Sequence, residues 1–191
     1  MSEADTKPDG RRTDTRARIA DVALDVFSER GYQGATLAEV AQRLGITRPA
    51  LYYHYRSKEE ILAAVHHDLA VSIDTIVGWA QAQPPNAATR IEVLTRLQDL
   101  MAGPWGKFTR FAQANEAAMR DLTGADEFIT RMNTLGALLA PADTIEGRIR
   151  GRLALSALFM ANARGSQLGG TNRQRDTAAL KVAQQIIDGR Q

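Results

Sequence analysis

The sequence predicts an all-α protein of about nine helices, with a three-helix module at the N-terminus followed by a larger helical bundle. Three observations carry that expectation. Apolar residues recur at three- and four-residue spacing along most of the 191 residues, and no segment alternates as a half-buried strand would. Thr36 and Ser57 each stand three places before a glutamate, Glu39 and Glu60, the spacing of a helix-opening capping box. The breaks between periodic stretches coincide with glycine or proline, at Gly31, Gly45, Pro84-Pro85, Gly103-Pro104, Gly124, Pro141 and Gly169-Gly170.

Taken in order, residues 1–12 (MSEADTKPDGRR) have no periodic apolar positions and read as a flexible basic arm. From Thr13, Ile19, Ala20, Val22, Ala23, Val26 and Phe27 keep helical spacing up to Arg30, and Gly31 is a stop signal. Thr36 opens a short second helix, TLAEVAQRL, which Gly45 ends. Thr47 caps a short third one, RPALYYHY, with Pro49 in the first turn, where its missing N–H costs little. Ser57 launches a long fourth helix that runs almost to Pro84. Further helices are expected near 87–102, 104–122, 126–139, 144–164 and 172–188. The domain limits that follow are an arm over 1–12, a three-helix domain over 13–57 and a bundle over 58–191.

Composition narrows the class. Hydrophobic residues make up 44% and charged residues 24%, an ordinary globular balance. The absence of cysteine excludes disulfide staples and thiolate chemistry and fits a reducing, cytoplasmic setting. Met1 to Arg16 lacks the apolar core of a signal peptide. The longest apolar-rich stretch is read as Leu153 to Ala163, short of the roughly 20 residues of a membrane span, so no membrane partner is expected. The net charge of +2 says little about nucleic acid, but Arg43, Arg48, Arg56 and Lys58 follow one another between Val40 and Lys58 with no acid among them.

Two short helices joined at Gly45 form the core of a helix-turn-helix, whose second helix can enter the major groove of DNA. Val40, Ala41, Leu44, Ile46 and Leu51 supply its inward apolar set, with small Ala41 allowing a close helix crossing. Arg48, Ala50, Tyr52, Tyr53 and His54 remain outward, as donors and flat surfaces suited to bases and phosphates.

Phe27, Gly31-Tyr32, Thr36, Gly45, Leu51-Tyr52, His54-Tyr55 and Lys58 occur in order within FSERGYQGATLAEVAQRLGITRPALYYHYRSKEEIL. With these residues, positions 15–62 resemble the DNA-binding domain of the tetracycline-repressor (TetR) family, with Tyr55 where Phe is more usual, at a position that packs inward. The resemblance implies a sequence-specific transcriptional regulator, a homodimeric repressor released from a palindromic double-stranded DNA operator by a small-molecule effector. It implies phosphate contacts for Thr36 and Lys58, with Arg43 a further candidate, and base-edge contacts for Thr47, Arg48, Ala50 and Tyr52. Tyr53 and His54 would touch the DNA backbone or, alternatively, pack against the first and fourth helices. Arg11, Arg12 and Arg16 would reach the backbone or minor groove.

By the same resemblance, the last two helices would form a four-helix dimer interface through Ile149, Leu153, Ala157, Met160, Ala179, Val182, Ala183 and Ile186; an ordinary core within one chain is the alternative. The middle helices would surround a ligand pocket lined by Met101, Trp105, Phe108, Phe111, Asn115, Glu116, Met119, Phe128 and Met132, although core packing suits the same residues. The adjacent His66-His67-Asp68 do not share a helix face, so no metal is expected. No cofactor is implied. No paired carboxylates, nucleophile with a base or phosphate loop is recognisable, so the chain is not expected to be an enzyme. The competing reading is a ligand-independent dimeric activator or architectural DNA-binding protein.

Overall fold

The computed structural model describes residues 10–115, 119, 125–161 and 167–189. Among these residues the chain forms nine helices and no strand. They are α1 (Gly10–Arg30), α2 (Leu37–Leu44), α3 (Arg48–His54), α4 (Lys58–Gln81), α5 (Ala87–Ala102), α6 (Pro104–Ala114), α7 (Ala125–Leu138), α8 (Ile145–Ala161) and α9 (Asn172–Asp188). Several expectations fall outside the described residues: most of the arm, the side chains of Arg11 and Arg12, Glu116, and the ends of the helices expected to reach 122 and 164. The helix expected from Thr13 starts at Gly10, inside the expected arm.

Two compact units divide between Leu62 and Ala63. The sequence suggests residue 57 as the limit. The first turn of α4 groups with the first unit because its side chains bond back to Tyr32: the Lys58 ammonium donates to the Tyr32 carbonyl at 2.6 Å, and the Tyr32 hydroxyl donates to Glu59 Oε1 at 2.6 Å.

The first unit closes on a dense core. Ile19, Ala23, Leu24 and Phe27 of α1, Val40 and Ala41 of α2, and Leu51 of α3 are almost wholly buried. Removing each large side chain of this set from water contributes about 1.5–3 kcal/mol. Phe27 and Tyr32 meet edge to face with ring centroids 5.6 Å apart. Leu44 and Ile46 are only half-buried at the rim of this set.

In the second unit, α8 packs on both α7 and α9. Glycines set the first of these distances: a Cβ on Gly151 would lie 2.2 Å from the Gly136 carbonyl oxygen, so only glycine permits that crossing. On the other side, Ala154, Leu155 and Leu158 of α8 and Ala179, Ala183 and Ile187 of α9 are buried. Arginines finish the helix ends. Arg175 donates to the Ala161 carbonyl and Arg150 to that of Ile186, which satisfies acceptors that a helix C-terminus leaves open, and Arg175 also donates to the carbonyls of Gly169 and Gly170 ahead of α9.

The longest apolar stretch is not Leu153 to Ala163. Within its 24 residues α4 holds an 18-residue window of mean hydropathy 1.3, by length and composition enough to cross a membrane. Most of its large apolar residues lie on one side: Ile61, Leu62, Val65, Leu69, Ile73, Ile76 and Ala80 are buried at three- and four-residue spacing, the pattern of a helix with one inward face, while Val71 is exposed.

Candidate nucleic-acid interface and ligand cavity

Local chemistry fixes α2 and α3 at both ends. The Thr36 hydroxyl accepts from the Glu39 N–H at 3.2 Å while the Glu39 carboxylate accepts from the Thr36 N–H at 2.9 Å, a complete capping box. Gly45 closes α2 with φ 66°, in the left-handed region where glycine pays no steric penalty, and its N–H donates to the carbonyls of Ala41 and Gln42. Thr47 caps α3 by accepting from the Ala50 N–H at 3.3 Å. At the far end, Arg16 donates to the His54 carbonyl at 3.0 Å and lies over the Tyr55 ring at 4.3 Å. Tyr55, 2% exposed, is buried as expected.

With both ends fixed and Leu51 inward, α3 turns Arg48, Ala50, Tyr52 and Tyr53 to solvent. Tyr53 is 68% exposed, so its ring is not part of the core. The Arg48 guanidinium has no ion-pair or hydrogen-bond partner among the described residues. His54 is half-buried and meets Tyr53 edge to face at 5.3 Å.

The remaining candidates of this region are engaged within the protein. Arg43 makes a two-pronged bond to Glu29, at 2.9 and 2.6 Å, which raises the guanidinium's affinity for its proton and holds the Glu29 carboxyl below the usual carboxylate range. The Thr36 hydroxyl also donates to Glu39, which places a carboxylate beside the N-terminus of α2. Lys58 is turned onto the Tyr32 carbonyl and lies 4.6 Å from the Tyr32 ring centroid. Burial and the Glu59 carboxylate push the Tyr32 phenol well above its ordinary value, and the Tyr32 hydroxyl in turn holds the Glu59 carboxyl below its own. Arg16, expected as an arm contact to DNA, joins α1 to the end of α3.

The second unit encloses a cavity of about 620 Å³, within the size range of drug-sized ligand sites. Of the residues expected in a pocket, Met101, Phe108, Met119, Phe128 and Met132 line it. Three do not. Phe111 is 1% exposed in the core, Trp105 stands away from the wall, and Asn115 ends α6 with its side-chain amide donating to the Phe111 carbonyl at 2.9 Å. Glu116 is outside the described residues.

Sequence reading missed the contribution of α4, which sends His66, Leu69 and Ile73 into the wall. The spacing of these three residues was the available signal, since a histidine three places before an inward leucine shares its face. Burial pushes the His66 imidazole below its ordinary range; the positive charges of Arg131 and His67 act in the same direction and Glu127 opposes them.

The expected dimer residues separate into two sets. Ile149, Leu153 and Met160 of α8 and Val182 of α9 are exposed, together with Ile145 at 74%, and form an apolar stripe. Ala179 and Ala183 are instead buried inside the protomer against α8, and Ala157 and Ile186 are half-buried. Small residues there serve close packing within one chain, which a spacing argument cannot separate from packing between chains.

Residues 19–65 match the family model described as bacterial regulatory proteins, tetR family. The tetracycline repressor protein class D of Escherichia coli is 36% identical over 91 residues, 44% of this chain and 41% of that protein. The transcriptional activator FasR of Mycolicibacterium smegmatis is 41% identical over 64 residues, 32% of this chain and 29% of that protein. Such matches reach only 24% to 41% of the curated relatives' own lengths. The fold is similar over more of the chain: the crystal structure of the TetR-family regulator PfmR from Thermus thermophilus aligns with TM-score 0.67 at 20% identity, covering 91% of this chain and 99% of that one.

Proposed function

We propose that this chain, whose residues 19–65 match the model of the tetR family of bacterial regulatory proteins, is a dimeric, sequence-specific transcriptional regulator, not an enzyme, and a repressor that leaves its palindromic operator when a small molecule fills the cavity. The observation that carries this reading is the solvent face of α3, where Arg48, Ala50, Tyr52 and Tyr53 project from a helix whose ends are both tied down. Arg48 makes the two-pronged guanine contact and Ala50 meets a thymine methyl. Thr47 and Tyr52 reach neighbouring base edges. Tyr53 and His54, with Thr36, Arg43 and Lys58, hold the backbone, and the last two do so by exchanging an internal partner for a phosphate. The exposed stripe of Ile149, Leu153, Met160 and Val182 receives a second copy of the chain, because one short reading helix covers too few base pairs to specify a site. The apolar face of α4 is accounted for by core and cavity, so the reading needs no membrane, and the protein works in the cytoplasm.

A gel shift with DNA upstream of the protein's own gene tests the reading. Arg48→Ala should weaken operator binding by about 1–3 kcal/mol, roughly ten- to a hundredfold, without altering the fold; unchanged binding would sink the assignment of α3. Leu153→Glu should shift sedimentation from dimer to monomer and abolish high-affinity binding. The likeness to FasR, an activator by name, favours a second reading in which the bound protein raises transcription. A reporter gene behind the operator separates the two signs.

A further inference from the structure

None of the described residues lining the cavity is charged. Leu, Ile, Met and Phe side chains supply most of the wall, and the polar exceptions are His66, Thr109 and Gln113. Thr109 directs its hydroxyl to the Met101 sulfur at 4.0 Å, and Gln113 is exposed to solvent. His66 is different. It is half-buried between two rings, with centroids 6.3 Å from Phe108 and 6.1 Å from Phe128, and neither ring nitrogen has a hydrogen-bond partner among the described residues.

A neutral imidazole offers one N–H donor and one bare nitrogen acceptor. The depressed proton affinity of His66 keeps it in that form at neutral pH. A carboxylate or phosphate entering this wall would give up its hydration without meeting a cation among the described lining residues. Arg131, whose charge acts on His66, is already held by Asp74 at 2.9 Å and by Glu127 at 3.6 Å. A cation would likewise find no carboxylate among the described lining residues. An uncharged molecule with a flat body, by contrast, can lie against Phe108 and Phe128 while a single hydroxyl or carbonyl meets the ring between them.

We propose that the cavity accepts an uncharged, predominantly apolar molecule with an aromatic or flat body, and that its one polar group hydrogen-bonds to the His66 imidazole. The proposal rests on reading this cavity as the effector site and adds to it the chemical class of the effector.

Titration calorimetry of the full chain at pH 7.5 tests it with three probes of one shape: 4-phenylphenol, biphenyl-4-carboxylate and N-methyl-4-phenylpyridinium. The phenol should bind at least tenfold tighter than either ion. His66→Leu should weaken the phenol about tenfold, and His66→Gln, which keeps a hydrogen-bonding group, should lose less. Helicity measured by circular dichroism should be unchanged in both. An ion that binds as tightly as the phenol, a phenol that does not bind, or a His66→Leu protein that binds it as before would each overturn the inference. A phenol that binds through His66 but leaves the operator gel shift unchanged would sink ligand-controlled release instead, and leave the binding chemistry standing.

Discussion

The two units put similar side chains inside and treat the space between them differently. In the first, Leu24, Phe27, Val40 and Leu51 are wholly buried, and caps or arginines hold both ends of the exposed helix. In the second, Met101, Phe108, Met132 and Leu158 face one another across a cavity of about 620 Å³. A surface that reads a fixed lattice of bases gains from a frame that cannot shift, whereas a wall that receives a molecule gains from soft, repackable methionines. The same apolar composition therefore serves rigidity in one unit and accommodation in the other.

Truncation and filling break that comparison in opposite ways. The largest effect is expected at Leu51, fully buried on the inward face of α3. Leu51→Ala should cost about 2–5 kcal/mol, the range for a void that the surrounding side chains cannot close, read as faster amide exchange across α1 to α3. Overfilling comes next: Ala41→Leu, at the crossing of the short helices, should cost about 1–3 kcal/mol. Ala112→Leu on the cavity wall should cost less than about 1 kcal/mol, because the added methyls enter existing space, and should weaken ligand binding. Equal costs at the two alanines would mean that the cavity is closed in solution.

The smallest effect is one of pH. The His66 imidazole has a folded-state value below the ordinary 6.5, so the unfolded chain takes up the proton first as pH falls. Its contribution to stability is complete above that ordinary value and is lost as pH drops through the folded one. Thermal melts followed in the second unit should therefore decline on acidification below about pH 6.5, and His66→Leu should flatten that part of the profile. A decline of equal size in the variant would assign it to other groups.

The sequence made the first unit legible almost residue by residue. Thr36 with Glu39, Gly45, and Thr47 before Pro49 are local signals, each decided by neighbours within a few residues. Tyr55 as an inward ring was equally readable. Less readable were the long-range partners: nothing in the spacing says that Glu29 claims Arg43 or that Arg16 reaches the His54 carbonyl, since those pairs are set by how α1 crosses α2 and α3. In the second unit, periodicity located the helices, but it could not say which apolar residue faces a neighbour and which faces a void. Hence Phe111 and Met101, both apolar and ten residues apart, look alike in the sequence, and only Met101 lines the cavity.

An apolar wall with a single polar anchor also has a thermal consequence. Apolar molecules entering preformed, poorly hydrated pockets commonly bind with favourable enthalpy near 25 °C, and the accompanying negative heat-capacity change makes that enthalpy more favourable on warming. Affinity for such a guest then falls as temperature rises, and falls more steeply the warmer it gets. On the proposed reading, a given dose of effector would release more of the regulator in a cool cell than in a warm one, and the wall that chooses the molecule would also make the switch a crude thermometer.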